Sequence, residues 1–249
     1  MKQIQTYHRP ETVEEALRLL HRPGTPTALL AGGTALNAHR DPAVAELVDL
    51  QAAGLDELQA GPNLLALGAM VRLQQVVDWP VAPPLLRDMA HRAGPNTLRN
   101  QGTVGGALVR ADWQSEFVAA LLLFATQVTV HTPAGTHTLP LPDFLADPPA
   151  GLAGGILTGV TLHPAGRTAH ARVARTPADT PIVAALGMLD PAGQIHLALC
   201  GVAATPILVQ PHQVAQLHPP SDFRGSSAYR LAMAQTLTGR VLRELTTNP

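Results

Sequence analysis

Apolar residues recur at Val13, Ala16, Leu17 and Leu20, directly after Thr12 and Glu15. That spacing predicts an amphipathic helix opened by a capping box and ended by Pro23 and Gly24. Residues 27–31 form a short apolar run that leads straight into Gly32 and Gly33, which reads as a buried strand entering a turn. Residues 34–39 begin a helical turn, and Asp41-Pro42 breaks it. Residues 46–50 and 63–68 read as two further strands, and residues 70–77 as a helix. Pro83 and Pro84 open a helix over residues 85–92.

The run at residues 115–125 is apolar on every side, which predicts a buried helix. Residues 127–132 alternate as a strand does, Gly135 turns the chain, and residues 136–139 return. Residues 142–145 read as a short docking turn, and residues 156–162 as a strand closed by Pro164. The composition shifts near residues 165–168, where a domain boundary is expected. Beyond it, residues 169–175 read as a strand, and residues 182–189 and 195–202, joined by a turn at 191–193, as a β-hairpin or meander in a small antiparallel sheet. Tyr229, Met233, Leu237, Val241 and Leu245 recur every four residues, the inward stripe of a final helix.

Hydrophobic residues make up 46% of the 249, enough for a sizeable core, but aromatics are only 3%, so that core is built from Ala, Leu and Val. A net charge of −1 gives no electrostatic reason to expect a nucleic acid or an anionic membrane as partner. No apolar run is long enough to span a bilayer. The first ten residues lack a secretory apolar segment, so a cytoplasmic location is expected. The one cysteine, Cys200, excludes an internal disulfide and any iron–sulfur cluster held by this chain alone. The 11 histidines form no HxxxH or HExxH spacing, and no metal site is expected.

The chemistry suggested by the pattern lies in two glycine-rich stretches, LLAGGTAL from Leu29 and PNTLRNQGTVGG from Pro95. Glycines remove side chains where something must approach the backbone. A run of bare amides near Arg99 forms a concave site for phosphate oxygens. Two such turns in one chain can close on the two sides of one diphosphate. No nucleophile triad and no carboxylate pair accompanies them, so the chemistry would belong to a bound cofactor.

Six stretches, in order, resemble the FAD-binding medium subunit of the molybdenum hydroxylases, the xanthine dehydrogenase and carbon monoxide dehydrogenase flavoprotein family. They are Tyr7 to Pro10 with its helix, LAGGTAL, LRNQGTVGG, ILTGVTL, CGVAATPI and the terminal SDFRGSSAYRLAMAQTLTGRVL. The resemblance implies an α+β fold. Two subdomains, about residues 1–53 and 54–164, would clasp an extended FAD in a PCMH-like domain. A small antiparallel sheet with helices would follow over residues 168–249. It is not a Rossmann arrangement, and the chain has no GxGxxG after a first strand.

The resemblance implies that FAD is held by Leu30, Ala31, Gly32, Gly33, Thr34 and Ala35 in the first turn. In the second it implies Thr103, Val104, Gly105, Gly106 and Ala107. Glu116 falls near the sugar or ribityl hydroxyls, Leu157 near the flavin ring, and Arg172 at a position close to the ring. It also implies a molybdenum-cofactor large subunit and a small subunit with [2Fe–2S] clusters as partners, with NAD or another acceptor receiving the electrons. The chain departs from the family pattern at Ala35, at Ala107 in place of asparagine, at Arg110, and at Asp112-Trp113 in place of a small residue and proline. An asparagine replaced by alanine loses side-chain hydrogen bonds worth about 0.5–1.5 kcal/mol each.

Several of these residues also have plain readings. Glu116 at a helix start favours the helix dipole. At least one of Arg172 and Arg175 lies on a solvated face. Trp113 either stacks on a ring of the cofactor or packs in the protein, and Tyr229 reads as a core or interdomain residue. Three functions follow: an electron-transfer flavoprotein subunit, a flavin-free structural or assembly subunit that keeps the fold, and a free-standing FAD oxidoreductase without partners.

Overall fold

The structure, a computed structural model, describes residues 4–38 and 43–247. The expected helix end at His39 and the break at Asp41-Pro42 lie outside these residues. Three sheets and ten α-helices are present among the described residues, an α+β architecture.

The first sheet joins β1 (Thr6–His8), β2 (Thr27–Leu30) and β3 (Glu46–Asp49) in the order β1-β3-β2, all parallel. α1 (Val13–Leu20) crosses from β1 to β2, which allows the parallel pairing. Thr12 Oγ1 accepts the Glu15 amide at 3.1 Å, as expected. The return bond differs: Glu15 accepts from the Glu11 amide at 3.3 Å, one residue before the cap. Ala16 and Leu17 of α1 pack with Val48 and Leu50 and with Ile156 of the second sheet. α2 (Thr34–Ala38) starts directly after the glycine turn.

The second sheet is antiparallel, in the order β4-β5-β8-β6-β7: β4 (Leu58–Ala60), β5 (Leu65–Gly68), β6 (Gln127–Thr132), β7 (Gly135–Pro140) and β8 (Ile156–Leu162). Between β5 and β6 run five helices: α3 (Leu73–Asp78), α4 (Pro84–Arg92), α5 (Asn96–Arg99), α6 (Val104–Arg110) and α7 (Glu116–Leu123). Every residue of α7 is buried, which is why its sequence shows no polar face. Ser115 caps α7 by accepting the Val118 amide at 3.2 Å. The expected docking turn at 142–145 is a full helix, α8 (Leu141–Ala146), followed by α9 (Pro148–Leu152).

The third sheet is antiparallel, in the order β12-β11-β10-β9: β9 (Arg167–Val173), β10 (Val183–Leu189), β11 (Ile195–Cys200) and β12 (Ile207–Leu208). β10 is covered on both faces. Ala184, Leu186 and Met188 share the core of α7, and Val183 and Ala185 share the core of α10 (Ser227–Thr247). Period-two alternation therefore separates two cores across one strand.

The stripe on α10 needs correction. Leu237, Val241 and Leu245 are buried as expected, but the inward positions toward the helix start are Ala234 and Arg230. Tyr229 is exposed. The Arg230 guanidinium donates to Ile182 O, to Gly201 O at 3.2 Å and to Asp222 at 2.5 Å, and lies 4.6 Å from the Trp113 ring centroid. A buried cation is tolerated there because acceptors from distant segments converge on it. Burial raises the Asp222 carboxyl, but the hydrogen bonds from Arg230 and from the Arg224 and Gly225 amides outweigh it and hold the pKa below the ordinary range.

Candidate functional site

β2 runs into Ala31, Gly32 and Gly33, and Gly33 adopts φ +70°, which favours glycine. A Cβ on Gly32 would stand 1.8 Å from Gln101 O. The two glycine-rich stretches, seventy residues apart, therefore touch backbone to backbone. In the second stretch a Cβ on Gly105 would stand 2.9 Å from the Ala69 Cβ and 3.0 Å from Ala69 O. Both turns open on one cavity of about 670 Å³, within the range of small-molecule and cofactor sites.

Of the residues expected at the site, Ala31, Gly32, Gly33, Thr34, Ala35, Thr103, Gly105, Gly106, Ala107, Glu116 and Leu157 line this cavity. Three do not. Leu30 lies within β2, where it pairs with Asp49 of β3. Val104 is fully buried in the core. Arg172 turns to hold Pro177 O at 3.0 Å, Asp179 O and the carboxylate of Glu116 at 3.1 Å.

The amides of the two turns differ. Those of Gly32, Gly33 and Thr34 have no acceptor among the described residues. Those of α6 are engaged: Val104 N bonds Val71 O at 2.9 Å, Gly105 N bonds Ala69 O at 2.8 Å, and Ala107 N bonds Thr103 O at 3.0 Å. Thr103 Oγ1 accepts from Gly106 N at 3.1 Å as the cap of α6. Of the five residues expected in the second turn, Thr103 alone keeps an amide without an acceptor among the described residues.

Arg99 is not an anion ligand either. It is buried, and donates to Gln74 Oε1 at 2.8 Å, His91 O at 3.2 Å and Gly94 O at 2.7 Å. Its charge fastens α5 to α3 and to the end of α4. Trp113 packs against Arg230 and is not on the cavity wall. Cys200 is buried, and desolvation pushes its thiol well above the ordinary range, so it stays protonated.

The sequence reading missed part of the wall. Gln114 reaches across to Pro181 O at 2.7 Å and fixes the segment that brings Ala178, Thr180 and Pro181 to the cavity. Arg92, at the end of α4, also lines it. No local motif marks either residue, because each faces the cavity through tertiary packing.

Comparison with known proteins identifies the fold. Residues 2–164 match the family described as the FAD binding domain in molybdopterin dehydrogenase. The chain belongs to this family. FAD is the cofactor of this domain, and molybdopterin dehydrogenases are oxidoreductases. Over 260 residues the chain is 29% identical to the uncharacterized protein YgfM of Escherichia coli K12, covering 97% of this chain and 95% of that one. It is also 29% identical over 283 residues to the putative xanthine dehydrogenase FAD-binding subunit XdhB of the same organism, covering 96% and 95%. The fold superposes with a TM-score of 0.88 on a chain of carbon monoxide dehydrogenase from Hydrogenophaga pseudoflava, at 21% identity and 99% coverage of both. No helix among the described residues is long and apolar enough to cross a membrane. The cavity fits the cofactor of this family in size, and its first turn offers open amides of the kind phosphate oxygens accept.

Proposed function

We propose that this chain is the FAD-carrying medium subunit of a molybdenum hydroxylase. It would take electrons from [2Fe–2S] clusters on a small partner subunit, which receives them from a molybdenum-cofactor large subunit. NAD or another soluble acceptor would receive them in turn. The cytoplasm is the compartment this reading expects. Residues 1–164 would form the flavin-binding part and residues 168–249 the C-terminal part. The observation that carries the reading is the backbone contact of Gly32 with Gln101 beside one cavity, which Gly32, Gly33 and Thr34 line with amides that have no acceptor among the described residues.

FAD supplies the redox chemistry when bound, since no side chain on the wall is redox-active. The residues of the chain bind and orient. The amides of Gly32 to Thr34 would hold the diphosphate, and the Thr34 hydroxyl adds a donor. The absence of side chains at Gly105 and Gly106 lets α6 approach. Glu116 would accept from a sugar or ribityl hydroxyl. It is 2.8 Å from His170 Nε2 and 3.1 Å from Arg172, so its charge is paired and its orientation fixed. Leu157 supplies an apolar surface for the ring, and burial around it excludes water.

The visible spectrum of the purified chain tests this. Flavin absorption, with FAD released on denaturation, is the expected result. A colourless protein that ignores added FAD would favour the second reading, a flavin-free structural subunit, which Ala35, Ala107 and the engaged amides of α6 support. Co-purification with molybdenum and iron–sulfur subunits tests the proposed partners, and its failure would favour a free-standing oxidoreductase.

A further inference from the structure

Four charged side chains line the cavity among the described residues: Arg92, Arg110, Asp112 and Glu116. Three are neutralised locally. Arg110 pairs with Asp112 at 3.1 Å, and Glu116 is held by Arg172 and His170. The exposed Arg92 side chain has no hydrogen bond and no ion pair among the described residues. The wall therefore carries one uncompensated charge, and it is positive. An anionic group entering the cavity meets no opposing charge and one free guanidinium.

Contacts along the wall locate the backbone segment that carries that side chain. From Gly32 they run one way through Gln101 to Gly102, then through Leu98 to Gly94, two residues from Arg92. They run the other way through Thr103 and Gly105 to Ala69, whose amide bonds Thr158 O beside Leu157. Arg92 and Leu157 are thus reached from Gly32 along different segments of the wall. On the Arg92 side the wall is apolar, with Met89, Pro95 and a half-exposed Leu98.

We infer that Arg92 recognises the adenosine diphosphate half of the cofactor and makes the site select a dinucleotide over a mononucleotide flavin. The inference rests on the function proposed above, in which the flavin ring lies toward Leu157. An Arg–phosphate contact replaces side-chain donors that Ala35 and Ala107 do not provide. Lysine would keep the charge but lose the planar fork.

The test is titration of the flavin-stripped full chain with FAD and with FMN, followed by flavin fluorescence, for wild type, Arg92→Met and Arg92→Lys. A charge-assisted contact predicts that Arg92→Met weakens FAD ~10-fold or more. FMN should change less than ~twofold on that same scale, and Arg92→Lys should fall between. Higher salt should reduce the FAD preference of the wild type more than that of Arg92→Met. Arg92 has no structural partner, so unchanged melting of the stripped variants is expected. Equal losses for both flavins, or no loss for FAD, would overturn the inference and leave the function reading intact. A wild type that binds neither flavin would overturn both.

Discussion

Both glycine turns reach the same cavity, yet the amides of Gly32, Gly33 and Thr34 meet no protein acceptor, whereas each amide from Val104 to Ala107 already has one. Both stretches carry a Gly-Gly pair close to a threonine. What differs is what the missing side chains let in. At Gly105 the neighbour is Ala69 of the chain itself, so the glycine seats α6 on the end of β5. At Gly32 the neighbour is Gln101, and the next two amides are left without an acceptor among the described residues. A glycine pair marks a close approach of backbone, and only tertiary structure decides whether protein or ligand makes it.

Substitutions can break this contrast. Gly32→Ala is expected to have the largest effect, because its Cβ would meet a carbonyl oxygen at 1.8 Å and one of the two backbones must move. The expected cost is about 3 kcal/mol or more. That corresponds to ~6–12 °C in melting temperature, with retained flavin falling to background in the absorption spectrum. Gly105→Ala should cost about 2 kcal/mol, seen as ~4–8 °C in the melt of the stripped protein. If its main effect were instead on FAD affinity, the distinction between the turns would fail.

Gly33→Ala places a side chain at φ +70°, a strain of about 1–2 kcal/mol. Its Kd for FAD is expected to rise ~10-fold as the open amides shift. Titration and melting of the same sample separate that from a loss of stability. Thr103→Val removes the cap of α6 and should cost about 1 kcal/mol, a drop of ~2–4 °C with FAD titration little changed.

Much of the fold could be read from local patterns. The all-apolar α7, the alternation of β6 and the two glycine turns each reflect a short-range rule. The misreadings share one cause. Arg99 stands among glycines and looks like an anion ligand, but its acceptors come from His91, Gly94 and Gln74. Tyr229 continues an apolar spacing, but Arg230 goes inside because Ile182, Gly201, Asp222 and Trp113 converge on it. Arg172, placed by the resemblance close to the ring, is held by Glu116 and by the segment that carries Ala178 and Thr180 to the wall. In each case a long polar side chain is placed by partners far along the chain, which local spacing does not encode. β1, β4 and β12 were missed because two or three residues carry too little periodicity to register.

α7 has water on none of its sides: the helical layer of the second sheet covers part of it and β10 and β11 cover the rest. A piece of the chain stopped at residue 164 would bare that greasy flank and is expected to precipitate. The intact protein, heated in a calorimeter, is expected to give a single endotherm, because neither half can let go without stripping the other.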